Sequence, residues 1–286
     1  MLMRSILILP LVLVWACSSE PRDRLGDPKG EQYLVRGRSL VRGLAACGYC
    51  HAQRPEPTSL FSGGRPFFDK YGEVRAPNLT PGAGGIGAWS TEDIMAAVRS
   101  SMRPDGERLS KEAHAGYEWI ADEDLLSIIA YLRTLPPIAN EVPRRKISFW
   151  KRNTTGFMES HDELRGFVPA IDRSRQGEYG RYLVDHVARC GACHNKRGGL
   201  LAGDEYLGGG EQIKAGEEEK FAPAINGSSS EGLGDWSAGD IVHYLKTGET
   251  PDGRRSDPAF CPWNFYQNAD DADLQAIAAY LKTLPK

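Results

Sequence analysis

The stretch Arg36–Arg54, RGRSLVRGLAACGYCHAQR, reappears without a gap as Tyr179–Arg197, YGRYLVDHVARCGACHNKR. Working outward from this pair, Gly87-Ala88-Trp89-Ser90 followed by Asp93-Ile94 matches Gly234-Asp235-Trp236-Ser237 followed by Asp240-Ile241. Pro104-Asp105-Gly106 matches Pro251-Asp252-Gly253, and the run Ala130 to Pro136, AYLRTLP, matches Ala279 to Pro285, AYLKTLP. Motifs in the same order twice define an internal repeat, and a repeat constrains the architecture before any single element is assigned. The chain reads as two copies of one domain, residues 30–138 and 176–286, joined by a linker over 139–175.

Each copy reads as helical. Leu125, Ile128, Ile129 and Leu132 fall at i, i+3, i+4 and i+7 behind the acidic start Asp122-Glu123-Asp124, an arrangement that buries one face and suits the helix dipole. Leu274, Ile277, Ala278 and Leu281 repeat it behind Asp270, Asp271 and Asp273. Shorter helices are predicted over 31–46, 92–101, 178–189 and 239–247. Gly- and Pro-rich stretches such as Pro81 to Gly87 separate them and exclude regular structure there. Few helices, long loops and a modest apolar complement leave the middle of each copy to be filled by something other than side chains.

The chain has 286 residues, 41% hydrophobic and 26% charged, a composition that excludes disordered and fibrous classes. Its 35 basic and 38 acidic residues give a formal charge of -3 without a polyanion-binding block, so nucleic acid is not a partner in this reading. Met1 to Arg4 is a short positive start, and Ser5 to Val14 is an apolar run well below the roughly 20 residues that a spanning helix needs. Residues 1–16 therefore read as a signal peptide, which places the mature protein outside the cytoplasm. The run closes on Val14-Trp15-Ala16-Cys17, similar to a bacterial lipobox in which Cys17 is lipidated, although Trp15 stands where a small residue is usual. An ordinary signal peptide with an incidental Cys17 is the alternative. Residues 17–29, rich in Pro, Asp, Arg and Ser, read as a tether.

The remaining cysteines decide the chemistry. Cys47-Gly48-Tyr49-Cys50-His51 and Cys190-Gly191-Ala192-Cys193-His194 are both C-x-x-C-H. Thiols at i and i+3 with an imidazole at i+4 can share one turn, so both sulfurs reach the vinyl edges of one haem while the histidine faces its iron. A zinc site requires two C-x-x-C units much closer together in sequence, and a thioredoxin-like dithiol requires a βαβ setting that this pattern lacks. The expectation is two covalent haem c groups, each serving as the core of its copy, with Cys47, Cys50, His51, Cys190, Cys193 and His194 as their attachment residues.

With these motifs in place, the chain resembles the dihaem members of the cytochrome c family. It is similar in motif order to the multihaem cytochrome c subunits of bacterial membrane-bound alcohol, aldehyde and gluconate dehydrogenases. The resemblance rests on the two C-x-x-C-H motifs, Ala76-Pro77-Asn78-Leu79-Thr80 with Gly85 to Ser90, Arg103 to Gly106, Asn140-Glu141-Val142-Pro143 and the closing AYL helices, and it covers almost all of 30–286. It implies an all-α fold of two tandem class I-type cytochrome c domains, loop-rich, each built around one covalent haem. Subunits of that kind carry three haem motifs as a rule, and this chain has two.

The resemblance also implies a distal methionine between the Pro-Asp-Gly motif and the last helix, and here the sequence departs from it. No methionine follows Cys193. His114 and Cys261 stand at the positions in question, each nine residues past the aspartate of its motif, and Cys261-Pro262-Trp263 looks like Met-Pro-Trp with cysteine substituted. The expected axial pairs are His51/His114 and His194/Cys261, with Met102 as the rival to His114 and a buried free thiol as the alternative role of Cys261. Imidazole or thiolate in place of methionine lowers a haem's potential, so two low-potential centres are expected. His161, His186 and His243 read as non-ligands, and Trp89 and Trp236 as core residues.

The leading functional expectation is a periplasmic, lipid-anchored cytochrome that transfers electrons between a periplasmic or membrane donor, such as a dehydrogenase, and another redox carrier or oxidase. A dihaem oxidoreductase of the thiosulfate dehydrogenase kind, acting at the cysteine-ligated haem, is the alternative. A dihaem peroxidase, which needs an open iron site, is the third reading. Arg144, Arg145, Lys146, Lys151 and Arg152 in the linker, and Glu217 to Glu219 in the second copy, read either as solvated faces or as partner-docking charges.

Overall fold

The computed structural model describes residues 28–150, 154, 166–196, 198, 203–215, 217–228 and 232–285. The signal peptide, Cys17, most of the tether and His161 lie outside the described residues. Among the described residues no helix is long and apolar enough to cross a membrane.

Helix α1 (Glu31–Ser39) runs on into a wider π-helical turn at Leu40–Leu44, and α2 (Cys47–His51) carries the first C-x-x-C-H. An antiparallel hairpin follows, β1 (Pro66–Asp69) with β2 (Gly72–Arg75), Phe67 opposite Val74. Then come α3 (Thr91–Arg99), the single turn α4 (Lys111–His114), a short helical turn at Tyr117–Trp119 and α5 (Asp122–Arg133). The second half repeats the order: α6 (Gln176–Tyr182) with a π-helical turn at Leu183–Val187, α7 (Gly191–His194), a hairpin of β3 (Gln212–Ala215) with β4 (Glu218–Phe221), α8 (Ala238–Thr247), α9 (Trp263–Tyr266) and α10 (Asp271–Leu281). The protein is helix-rich and loop-rich. The two hairpins correct the all-α expectation: their four-residue strands bury no side chain, so they carry no apolar pattern to read.

The helix starts follow from local chemistry. Ser90 and Asp93 form a reciprocal capping box on α3, and Ser237 and Asp240 form the same box on α8, which is why Trp-Ser-x-x-Asp occurs twice. The first and last helices of each half cross with their backbones in contact. A Cβ on Gly37 would meet the Ser127 carbonyl oxygen at 1.9 Å, and one on Gly180 would meet that of Ala276 at 2.0 Å, so only glycine fits either crossing. Leu125, Ile128, Ile129 and Leu132 of α5, and Leu274, Ile277, Ala278 and Leu281 of α10, are buried as the spacing predicted.

The two halves meet through a polar network at equivalent positions of the repeat. Arg36 of α1 pairs with Asp124 at 2.7 Å and also with Asp273 of α10. The Tyr179 hydroxyl donates to Asp273 at 2.7 Å, and that of Tyr182 to Asp124 at 2.8 Å. The beginning of the expected linker packs on the first half, with Asn140 donating its side-chain amide to the Ser62 carbonyl at 2.7 Å and its backbone amide to Ala83 at 3.0 Å. Of the basic residues there, Arg144 forms an exposed pair with Asp105 at 2.7 Å, and Arg145 reaches inward through both guanidinium nitrogens to Asp69 at 2.5 and 2.7 Å. Lys151 and Arg152 lie outside the described residues.

Candidate haem site

Each C-x-x-C-H sits on its short helix directly after a residue in the left-handed region, Ala46 (φ 43°) and Arg189 (φ 52°). This backbone costs roughly 1–2 kcal/mol for a residue other than glycine, and it turns the chain so that the motif faces into the half. His51 donates Nδ1–H to the Pro77 carbonyl at 2.8 Å, and His194 donates Nδ1–H to Pro223 at 2.7 Å. A carbonyl can only accept, so Nδ1 carries the proton and Nε2 keeps its lone pair on both rings. That is the second-sphere bond typical of a metal-ligating histidine. Burial lowers the proton affinity of both imidazoles, which keeps them neutral. The Ala-Pro segments that supply the carbonyls are thereby given a role that the repeat alone did not reveal.

In the first half a cavity of about 690 Å³ opens beside α2. Cys47, Cys50, His51, Ile86, Ile128 and His114 contribute to its wall, whereas Met102 is not among the residues that line it. Met102 instead pairs in an antiparallel bridge with Arg108 at the neck of the Pro-Asp-Gly loop, as Glu249 does with Arg255 in the second half. His114 ends α4 and donates Nδ1–H to the Ala97 carbonyl at 3.0 Å, again leaving Nε2 with its lone pair. Its ring centroid lies 6.3 Å from that of His51. Burial, followed by the nearby His51 and Arg189, depresses the His114 pKa to about 3. The donor set and the apolar cavity suit a flat, iron-bearing macrocycle held through two thioethers.

In the second half Cys261 begins the turn into α9, half-buried against the core with Cys190. Cys190 and Cys193 lie near enough to interact with it electrostatically, and Tyr244, whose hydroxyl donates to Ser256 Oγ at 2.9 Å, lies close by. Burial pushes the Cys261 thiol up to about 11. Trp236 packs edge-on against Tyr244 with ring centroids 5.6 Å apart, and Trp89 lines the first cavity. His243 is on the surface of α8 near Glu249, and His186 donates to the Gly116 carbonyl at 2.9 Å, so neither stands with the attachment residues.

The first motif reaches the second half through Tyr49 at the contact between halves. Cys50 contributes to the electrostatics at Cys193, and Cys193 to those at Tyr49. Around them the Tyr49 hydroxyl donates to the Ala259 carbonyl, and Asn264 Nδ2 to Pro55 at 3.1 Å. Sequence reasoning missed Arg189, whose guanidinium helps to wall the first cavity from the second half. The available signal was the repeat itself, in which Arg189 stands against Ala46.

Comparison with known proteins agrees with this geometry. The cytochrome c family model matches residues 178–285. A dihaem c-type cytochrome of Cereibacter sphaeroides is 31% identical over 254 residues, 84% of this chain and 82% of the relative. The fructose dehydrogenase cytochrome subunit of Gluconobacter japonicus is 32% identical over 262 residues, 88% of this chain and 52% of the relative. The cytochrome c subunit of the quinone-dependent alcohol dehydrogenase of Gluconobacter oxydans is 28% identical over 277 residues, 89% of this chain and 55% of the relative. The chain thus spans about half the length of these two dehydrogenase subunits. The chain belongs to the cytochrome c family, and covalently bound haem c goes with that membership.

Proposed function

We propose that this protein is a periplasmic dihaem electron carrier, two tandem class I-type cytochrome c domains held to a membrane by a lipid on Cys17, which takes electrons from a membrane dehydrogenase and passes them to another redox protein. The observation that carries the reading is the approach of the two C-x-x-C-H segments across the contact between halves, with Tyr49 of the first bonded to the Ala259 carbonyl and Arg189, next to the second, lining the first cavity. Each haem, when bound, supplies a one-electron iron couple. The chain's own part is to fix the attachment cysteines, hold each proximal histidine by its Nδ1–H, exclude water with apolar walls and keep the two sites adjacent.

His51 and His114 are the axial pair of the first haem. Two imidazoles on opposite sides of one ion, with metal–nitrogen bonds of about 2 Å, bring their centroids to a separation of roughly 6–6.5 Å, and the 6.3 Å between these rings agrees with that spacing. His194 and Cys261 would hold the second, supported by the place of the half-buried Cys261 against the core with Cys190 and near Tyr244. A coordinated thiol gives up its proton even where burial raises its pKa. That same buried sulfur favours the second reading, an oxidoreductase of the thiosulfate dehydrogenase kind acting at the cysteine-ligated haem.

Expression with the c-type maturation machinery, followed by mass measurement and a redox titration, tests the proposal. Two haem masses per chain and two one-electron waves are expected; one haem, or none, ends it. Turnover of thiosulfate by the purified protein selects the second reading, and its absence selects the carrier.

A further inference from the structure

We infer that Arg189, a residue of the second half, is the positioning residue that holds His114 in place at the first haem, so that the distal ligation of one site depends on the chain segment attaching the other. The inference rests on the His51/His114 reading of the first site.

The loop bearing His114 has little of its own to fix it. Helix α4 is one turn long, with Lys111 and Glu112 exposed and Ala113 and His114 half-buried. On the first-half side it is held by the His114 bond to Ala97 and, just beyond, by the Tyr117 hydroxyl, which donates to the Ala45 carbonyl at 2.9 Å. The Lys70 backbone amide also donates to Glu112 at 3.2 Å, and the bonds that bracket His114 itself come from the second half. Arg189 Nη1 donates to the Ala113 carbonyl at 2.8 Å and to the Ala115 carbonyl at 3.0 Å, the two residues flanking His114. Its guanidinium carbon lies 4.1 Å from the centroid of Tyr117, and the Tyr117 ring meets His114 edge-on at 5.9 Å. His186 adds the bond to Gly116. Gly116 has φ +101°, and a Cβ there would lie 3.1 Å from the Arg189 side chain, so the loop and the arginine are closely fitted.

The direction of the Arg189 side chain is set by its backbone. Its left-handed φ comes immediately before Cys190, so attaching the second haem and aiming Arg189 at the first site are parts of one local conformation. Charge-assisted bonds to two carbonyls on either side of one residue resist both translation and rotation of that residue. In the first half Ala46 occupies the equivalent left-handed position and has no side chain long enough to return the contact. The first half touches the distal loop of the second by another route, the Tyr49 hydroxyl donating to the Ala259 carbonyl.

The experiment uses the full-length protein carrying both haems, read by low-temperature electron paramagnetic resonance and visible absorption. His114→Ala is expected to abolish the bis-imidazole low-spin signal, which establishes which signal belongs to the first site. Arg189→Met, which removes both carbonyl bonds, is expected to leave the second site's signal unchanged and to raise the high-spin fraction of the first by at least about tenfold, the low end for even one charge-assisted hydrogen bond. Arg189→Lys, which keeps a cation able to reach the carbonyls, is expected to restore the wild-type spectrum. Should Arg189→Met not be recovered with both haems, Arg189→Gln is read instead, with the same expectation at smaller amplitude. A first-site spectrum identical to wild type in Arg189→Met or Arg189→Gln, alongside an altered one in His114→Ala, overturns the proposal alone. An unaltered spectrum in His114→Ala overturns the ligand reading, and the role of Arg189 with it.

Discussion

Arg36 reaches from the first half into the second to pair with Asp273, whose carboxylate is completely buried. The same guanidinium holds Asp124 of its own half, so one cation serves two carboxylates at equivalent positions of the repeat. Arg36→Leu leaves both anions without that cation, and removing one partner of a buried pair costs about 3–5 kcal/mol. Urea denaturation is expected to show a loss of that size. Arg175→Ala, which removes an exposed pair with Glu178, is expected to change stability by less than about 1 kcal/mol.

Gly37→Ala and Gly180→Ala give a test in which the sign of the effect decides. On an open helix surface glycine to alanine stabilises by roughly 1 kcal/mol. At these crossings the added carbon collides with a carbonyl oxygen of the facing helix, and overpacking of this kind costs about 1–3 kcal/mol. Both variants are expected to melt below wild type, and by similar amounts if the two halves are built alike.

The distal ligands are open to spectroscopy. Cys261→Met is expected to create the methionine-to-iron charge-transfer band and to raise the potential of one haem, since a thioether ligand favours the reduced state. Met102→Leu is expected to leave the visible spectrum unchanged, because Met102 does not line the first cavity. A changed spectrum in Met102→Leu combined with an unchanged one in His114→Ala reverses that assignment.

Much of this was legible in the sequence, for reasons that differ from residue to residue. Cys47 to His51 and Cys190 to His194 could be read because covalent attachment requires local spacing, and the closing helices because burial of one face repeats every turn. Counting from Asp105 and Asp252 located His114 and Cys261, since the loop between them keeps its length in both copies. The hairpins at Pro66–Asp69 and Gln212–Ala215 were not legible, being held by pairing across a turn with no apolar stripe. Arg189 was missed for a deeper reason. What it does depends on residues about 75 positions away in the chain, Ala113 and Ala115, and no local pattern reports such a contact.

Asp69 and Arg145 supply a pH-dependent tie at the mouth of the first cavity. Burial pushes the Asp69 carboxyl up, but hydrogen bonds from the Arg145 guanidinium and the Tyr71 amide outweigh it and hold the group below the usual carboxylate range. A carboxyl depressed in the folded state adds stability above its ordinary value and loses it as pH falls through the lowered one. Acid unfolding followed by the haem absorption is expected to begin at higher pH in Arg145→Ala than in wild type. Asp69→Asn, which removes the titrating group, is expected to lower stability at neutral pH and to narrow its difference from wild type in acid.

The proximal hydrogen bonds have a bearing on the direction of electron flow. His51 to Pro77 and His194 to Pro223 are nearly the same bond in length, donor and acceptor. Whatever electron density a carbonyl lends to an imidazole, it lends equally on both sides, and the two contributions cancel in the difference between the sites. On the proposed reading, the chemical difference between the two sites would lie with the distal residues, an imidazole beside a guanidinium against a sulfur beside a phenol. The repeat thus provides a matched background, and exchanging only the distal residues should be able to reverse which half is donor and which is acceptor.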